Sequence, residues 1–132
     1  STLLASSAAS DVYKRQAYVY INPSQMKVVK TTYSDDGISM DNIYYDNVMH
    51  ICVYEGKKSL YAKDITKQMF VDVIPADFLQ QAILSDMNFT GIDRTGYHYQ
   101  ALVCIPESPV CNLVNLTISF NGQLNIAAAK YK

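Results

Sequence analysis

The sequence predicts an α+β domain, namely a mainly antiparallel β-sheet, curled into a sandwich or an open barrel, with one short helix near residues 75–85. Most of the chain consists of short β-branched or aromatic runs that end at glycine, asparagine or proline, which is typical of strands joined by turns. A single stretch, residues 73–92, instead repeats its apolar residues at the spacing of one helix face. Because hairpin-like turns join consecutive strands, we expect antiparallel pairing and not a βαβ series.

Length and composition fit one globular domain. The chain has 132 residues, of which 49% are apolar and 17% are charged, so it can bury a core of ordinary size. Its net charge of -1 gives no electrostatic reason to expect nucleic acid as a partner. The sequence contains no run of about 18 apolar residues, so no transmembrane span is predicted.

The start of the chain does not share these patterns. Residues 1–16 are small and polar, and the run over residues 6–16 resembles a translated sequencing-adapter read-through. We therefore interpret residues 1–16 as a non-native or disordered segment and residues 17–132 as a single globular domain. A well-buried Val12 or Tyr13 would contradict this interpretation.

Seven segments have the composition of strands. Residues 48–55 alternate two sets that are both largely apolar, which predicts a central strand covered on both faces. Residues 38–46, in contrast, look irregular and polar. Asn121 and Gly122 form the strongest hairpin signal, because both tolerate the positive φ of a type I′ turn. The predicted strands are residues 17–22, 26–33, 48–55, 59–65, 97–105, 112–120 and 123–129.

The predicted helix begins at Pro75, whose missing N–H suits the first helical turn. Asp77 follows in that turn, where a carboxylate meets the positive end of the helix dipole. We expect its apolar face to cover one side of the sheet, and we expect a further short helical turn over residues 66–72. The apolar face comprises Ile74, Phe78, Leu79, Ala82, Ile83 and Met87.

Five pieces of the chain occur in the order Lys-Asp-Ile-Thr-Lys (63–67), Pro-Ala-Asp-Phe-Leu (75–79), Ala-Ile-Leu-Ser-Asp-Met-Asn-Phe (82–89), Val-Cys-Ile-Pro-Glu-Ser (103–108) and Leu-Thr-Ile-Ser (116–119). Together they resemble a family of small lipoproteins of unknown function from Bacteroides-type gut bacteria. The resemblance implies an exported cell-envelope protein, in the periplasm or at the outer-membrane surface, tethered by a lipid on an N-terminal cysteine. No cysteine precedes Cys52, so we expect such a lipid anchor only in a longer form of the protein. The family brings no catalytic residues.

The three cysteines allow two interpretations. Cys104 and Cys111 bracket a short connection near two strand ends, so they could form a disulfide in an oxidising periplasm. Alternatively, all three cysteines are small apolar residues of the core. A nucleophilic Cys52 would need a base, and His50 lies two residues away on the same strand face, but that pair lacks an evident third group.

Metal and cofactor motifs are weak in this sequence. The two histidines, His50 and His98, show no spacing typical of a zinc site. An acidic segment could bind calcium through oxygen ligands, but it does not fit the EF-hand spacing, so a solvated loop is the preferred interpretation. We therefore predict no cofactor. The acidic segment contains Asp35, Asp36, Asp41 and Asp46, with Asn42 and Asn47.

These observations favour a non-enzymatic cell-envelope domain with a binding or scaffolding role, whose partner is an envelope protein or a glycan. Tyrosine offers a ring and a hydroxyl at low entropic cost, so the tyrosine-rich strands are the predicted binding surfaces, although strand packing alone would also explain them. The pairs concerned are Tyr18 and Tyr20, Tyr44 and Tyr45, and Tyr97 and Tyr99.

Two alternatives remain open at this point. The first is a small hydrolase or metal-assisted enzyme that uses His50, His98 and nearby aspartates. It requires both histidines and a carboxylate to converge on one pocket. The second is a partner-binding module that presents the loop from Pro106 to Pro109, stiffened by the two prolines and by a disulfide.

Overall fold

Two antiparallel β-sheets form the fold. The computed structural model describes residues 9–10 and 14–129, and each sheet in this part of the chain has four strands. The strands within each sheet follow the order of the sequence, so neighbouring strands are joined directly. The first sheet contains β1 (Ala9–Ser10), β2 (Arg15–Tyr33), β3 (Ser39–Glu55) and β4 (Lys58–Ile65). The second contains β5 (Ile83–Asp93), β6 (Gly96–Cys104), β7 (Cys111–Ile118) and β8 (Leu124–Ala128).

The segment between the sheets holds the short helices of the structure. A 3-10 turn spans Lys67–Phe70, and the helix α1 spans Ala76–Gln81, which is six residues. Strands account for 66% of the structure, so the protein is essentially all-β. The predicted α+β class is therefore wrong, because one turn and one tiny helix do not form a layer of their own.

The predicted helix is present only over Ala76–Gln81, and the rest of its apolar pattern, from Ile83 onward, belongs to strand β5. Ala82 has extended backbone angles (φ -113°, ψ 160°), and the following residues pair with β6. A β-bulge between Leu84 and Asp86 adds one residue to the strand. As a result, the buried side chains of Leu84 and Met87 are three residues apart instead of two. This spacing imitates a helix face, which explains the incorrect prediction.

The core lies between the two sheets. On β3, Met49, Ile51 and Val53 are fully buried and belong to one apolar cluster with the inward residues of the second sheet. Phe70 and Leu79, from the helical connection, are buried in the same cluster. The helix therefore contributes to the core at its margin, while sheet-on-sheet packing supplies most of it.

The hairpin of β2 and β3 extends beyond the rest of the first sheet. These strands pair as far as Tyr33 and Ser39, whereas β4 pairs with β3 only over residues 49–55. We call the two-stranded part and its turn, residues 26–45, the arm. The prediction of irregular structure over residues 38–46 is wrong, because β3 is continuous from Ser39. An irregular register between Pro23 and Lys27 lets β2 continue past the proline.

The predicted boundary at residue 17 falls inside β2. This strand begins at Arg15, whose Nε lies 3.3 Å from Glu55 Oε2. Val12 and Tyr13, on which the interpretation of residues 1–16 depends, lie outside the described residues. No helix in the described part of the chain is long and apolar enough to cross a membrane.

Candidate functional site

One face of the arm is exposed along its whole length. The β2–β3 register places alternate residues of both strands on this face, and each of them is exposed. Tyr33 exposes 74% of its surface, Val29 54% and Ile43 51%. Monomeric proteins rarely expose contiguous apolar patches unless the patch has a function. We call this surface the open face; it comprises Lys27, Val29, Thr31, Tyr33, Ser39, Asp41, Ile43 and Tyr45.

The charges of the arm are separated along its length. Lys27 lies at the root of the open face. Asp41 lies nearer the tip, where its Oδ1 accepts a hydrogen bond of 2.7 Å from the Thr31 hydroxyl. Asp35 and Asp36 lie in the exposed turn at the tip itself. The arm is therefore basic at its root and acidic at its tip, with apolar side chains between.

The opposite face fixes the arm to the second sheet. Val28 is buried there, and Lys30 Nζ donates a hydrogen bond of 3.1 Å to the carbonyl of Pro106. The Tyr44 hydroxyl donates to the Glu107 carboxylate, and this hydrogen bond raises the pKa of Tyr44. Both contacts end on the loop between β6 and β7. They hold the arm in one orientation, although a two-stranded hairpin alone is marginally stable in water.

A cleft of about 360 Å³ lies where the arm meets the helical connection. Its size falls within the range of small-molecule sites, and most of its lining is apolar. Two buried charged side chains, Asp46 and Lys67, also reach it. The apolar side chains that line it are Met26, Val28, Val71, Ala76 and Leu79.

Asp46 and Lys67 connect the root of the arm to the helix and to β5. Lys67 Nζ donates hydrogen bonds of 2.6 Å to the carbonyls of Leu79 and Ala82 at the end of α1. It also lies 3.5 Å from Asp46 Oδ2. Asp46 Oδ1 accepts a hydrogen bond of 2.8 Å from the backbone N–H of Leu84. Sequence reasoning missed this pair, because it placed Asp46 in a solvated loop.

Two of the predicted surface tyrosines lie in the core. Tyr97 is 0% exposed and Tyr99 is 1% exposed, because both point inward from β6 while His98 between them points outward. The Tyr97 hydroxyl donates to Glu55 at 3.2 Å, and burial raises the pKa of Tyr97 to about 12. The prediction that these rings form a binding surface is therefore corrected. Alternation along the strand required one of its two faces to be internal.

The other tyrosine pairs lie at different places on the first sheet. Tyr18 and Tyr20 are half-buried on its outer face, where their ring centroids are 6.5 Å apart. Tyr54 packs against Tyr18 at 6.3 Å. Tyr45 belongs to the open face of the arm, whereas the adjacent Tyr44 points to the other side and binds Glu107 in the loop between β6 and β7.

The two histidines lie on different sheets. His50 Nδ1 is 2.6 Å from Asp64 Oδ1 on the first sheet, and His98 Nε2 is 2.8 Å from Asp93 Oδ1 on the second. Each histidine thus has its own aspartate, and they do not share a pocket. The geometry required for an enzyme that uses both histidines is therefore not present.

His98 belongs to a chain of polar contacts on the outer face of the second sheet. Its Nδ1 lies 3.0 Å from the Thr117 hydroxyl, and its Nε2 lies 2.9 Å from the Thr95 hydroxyl as well as close to Asp93. Hydrogen bonds from Thr95 and His98 hold the pKa of Asp93 well below its usual range. Among the residues that the structure describes, no three His, Cys, Asp or Glu side chains converge as metal ligands.

Cys104 and Cys111 form a disulfide between directly paired residues of β6 and β7. The bond closes the loop that receives the tethers of the arm. Pro106 in this loop is buried and accepts the hydrogen bond from Lys30, whereas Glu107 and Pro109 are exposed, so the loop supports the arm and is packed only in part. Cys52 is a free thiol, and burial raises its pKa.

A comparison with protein families adds to this description. Residues 5–126 match a domain of unknown function, DUF4738. The chain belongs to the DUF4738 family. The DUF4738 match includes the arm, the cleft and nearly all of both sheets, so the whole candidate site lies inside the family's domain. It begins at residue 5, within the segment that the sequence pattern separates from the domain. No curated protein matches the chain.

In this DUF4738 site, Tyr45 is the residue of the open face that the sequence marked for binding, and the rest of the face was not predicted. Residues 26–33 were predicted as a strand, and the turn at residues 34–37 was recognisable from its aspartates and glycine. The returning strand was not recognised, because residues 40–45 do not alternate polar and apolar side chains. Which face would stay uncovered was not a property of that pattern.

Proposed function

We propose that the protein is a non-enzymatic binding domain of the cell envelope that binds another protein through the open face of its arm. The observation that carries this proposal is the concentration of exposed apolar side chains on one two-stranded element. Seven of the ten large apolar or aromatic side chains that are exposed in the described residues lie within residues 26–45. They are Val29, Tyr33, Ile43 and Tyr45 on the open face, and Met26, Ile38 and Met40 elsewhere on the arm.

The chemistry of the open face suits a protein partner. It combines the β-branched pair Val29 and Ile43 with Tyr45 at the root and Tyr33 toward the tip, and it carries charged residues near both ends. Aromatic and apolar side chains beside charged ones are common in protein interfaces. The tethers at Lys30 and Tyr44 present this surface in one orientation, so less conformational entropy is lost on binding.

The envelope location is supported by two observations. The Cys104–Cys111 disulfide is typical of oxidising compartments such as the periplasm. The resemblance to small lipoproteins implies export and a lipid tether, and a tethered scaffold would present its arm to neighbouring envelope proteins.

A photo-crosslinking experiment tests the proposed surface. A photoreactive phenylalanine analogue is placed at Tyr45 on the open face or, as the matched control, at Tyr20 on the outer face of the first sheet. Each protein is then added to an envelope extract of the source cells. We expect a saturable protein adduct from position 45, suppressed by excess unlabelled protein but not by the variant Ile43→Lys. Adducts of equal yield at both positions, or from position 20 alone, would contradict the proposal.

A second candidate, hydrolysis, is favoured by one specific observation. Asp93, His98 and Thr117 follow the order acid, imidazole, hydroxyl at hydrogen-bond distances of 2.8 Å and 3.0 Å. In this candidate His98 accepts the proton of the Thr117 hydroxyl as it attacks an ester. Release of nitrophenolate from p-nitrophenyl acetate would support it only if His98→Gln and Thr117→Val both reduce the rate to that of buffer. A rate that these variants leave unchanged would eliminate it.

A further inference from the structure

We infer that the protein bound by the open face is a second copy of this chain, with the two arms packed face to face in opposite directions. This inference rests on the proposed function and names its partner. It depends on how the charges of the arm are arranged, and not on its apolar character alone.

The open face is complementary to itself only when one copy is reversed. Lys27 stands at the root, while Asp41 on the same face and Asp35 and Asp36 in the turn stand toward the tip. In a parallel arrangement, lysine would meet lysine and aspartate would meet aspartate. In an antiparallel two-fold arrangement, Lys27 of each copy approaches the acidic end of the other, and the favourable contact is formed twice.

The middle of the open face fits the same arrangement. Val29 and Ile43 are directly paired across the arm, one position further from the root than Lys27 on this face. A two-fold axis near this pair brings the apolar side chains of both copies together. It also places Lys27 of one copy opposite the row of Thr31 and Asp41 of the other. Apolar contact at the centre with complementary charge at the rim is the usual arrangement of a specific interface.

The antiparallel direction of the arms also keeps the β-sheets of one copy away from those of the other. With the arms reversed, the two sheets of each copy lie at opposite ends of the contact. The tethers to Pro106 and Glu107 use the opposite face of the arm, so they remain intact in the pair. Association therefore needs no rearrangement of the monomer.

Sedimentation velocity over a wide concentration range tests whether the chain forms a dimer. Charge variants, alone and mixed, test whether the two arms are antiparallel. We expect a dimer of the wild-type protein. Lys27→Glu and Asp41→Lys should each raise the dissociation constant about tenfold, through two repulsive contacts per dimer. When the two variants are mixed, every contact has opposite charges, so the heterodimer should recover close to wild-type affinity. Lys57→Glu, in the turn between β3 and β4, carries the same charge change and should have no effect.

Three outcomes separate the inference from the proposal on which it rests. The inference is supported if Val29→Asp abolishes the dimer and if the mixture of Lys27→Glu with Asp41→Lys forms a heterodimer of close to wild-type affinity. A monomer at all concentrations overturns the inference, and the proposed function then stands if position 45 still crosslinks to a different protein. A dimer indifferent to Val29→Asp also overturns the inference, because the copies would then meet elsewhere. If no arm-dependent adduct forms either, the proposed function fails as well.

Discussion

Lys67 Nζ lies 3.5 Å from Asp46 Oδ2, and both side chains are buried. The two residues are far apart in sequence, and the pair connects the root of the arm, the end of α1 and the first residues of β5. Together with the tethers at Lys30 and Tyr44, this contact fixes the position of the arm relative to the second sheet.

Removing the lysine of this pair should destabilise the protein strongly. Lys67→Met leaves the Asp46 carboxylate buried without its counter-charge and removes the Nζ donor from the carbonyls of Leu79 and Ala82. We expect a loss of about 3–5 kcal/mol in the free energy of unfolding, measured by urea denaturation. The exposed Lys57→Met is the control and should change it by less than about 0.5 kcal/mol. If Asp46→Asn combined with Lys67→Met costs as much as the two single changes added, the residues are not coupled.

The contribution of Asp93 to stability should disappear in acid. Hydrogen bonds from Thr95 and His98 lower the folded-state pKa of Asp93 below its ordinary value of 3.8. A depressed folded pKa means that this stability is fully present above about pH 4–5 and is lost as pH falls below 3.8. The difference in stability between wild type and Asp93→Asn should therefore shrink between pH 5 and pH 2.5. Asp36→Asn, in the exposed turn of the arm, removes a carboxylate outside this network and serves as the control. A difference that stays constant over this range would contradict the assignment.

Counting thiols tests the disulfide. The chain has 3 cysteines, and the structure pairs Cys104 with Cys111 while Cys52 is free. Unfolded protein purified without reductant should release one equivalent of thionitrobenzoate from Ellman's reagent, and reduced protein three. Folded protein should react slowly, because Cys52 is buried and burial raises its pKa. Three reactive thiols without reductant in an oxidatively expressed sample would show that the loop is not closed.

Two glycines of the second sheet form a matched pair. A Cβ at Gly96 would lie 2.2 Å from the Ile118 carbonyl oxygen, whereas at Gly91 nothing lies within 4 Å. Both have positive φ, so Gly91→Ala should cost only backbone strain, about 1–3 kcal/mol. Gly96→Ala should cost about 4 kcal/mol or more, since β6 and β7 must separate. Thermal or urea unfolding compares them. Equal costs would mean that β7 lies further from Gly96 than the structure shows.

The sequence predicted strands better than it predicted what covers them. Runs such as residues 48–55 and 112–120 were recognisable from local composition, and β3 and β7 occupy most of them. The strand at residues 83–93 was not recognised, because the bulge after Leu84 gives its buried side chains the spacing of a helix face. Tyr97 and Tyr99 were assigned to a surface for a different reason. Alternation separates two faces of a strand, but it does not say which one is internal.

The amino-acid sequence by itself determined a β-rich chain with hairpin turns, since turn residues and β-branched runs act through local backbone preferences. Only the tertiary structure decided that the first hairpin continues into an arm with one uncovered face, and that Asp46 meets Lys67 at its root. Burial depends on which segment packs against a given face, and ion pairing depends on residues brought together from separate elements. Neither is encoded in the pattern of any one segment.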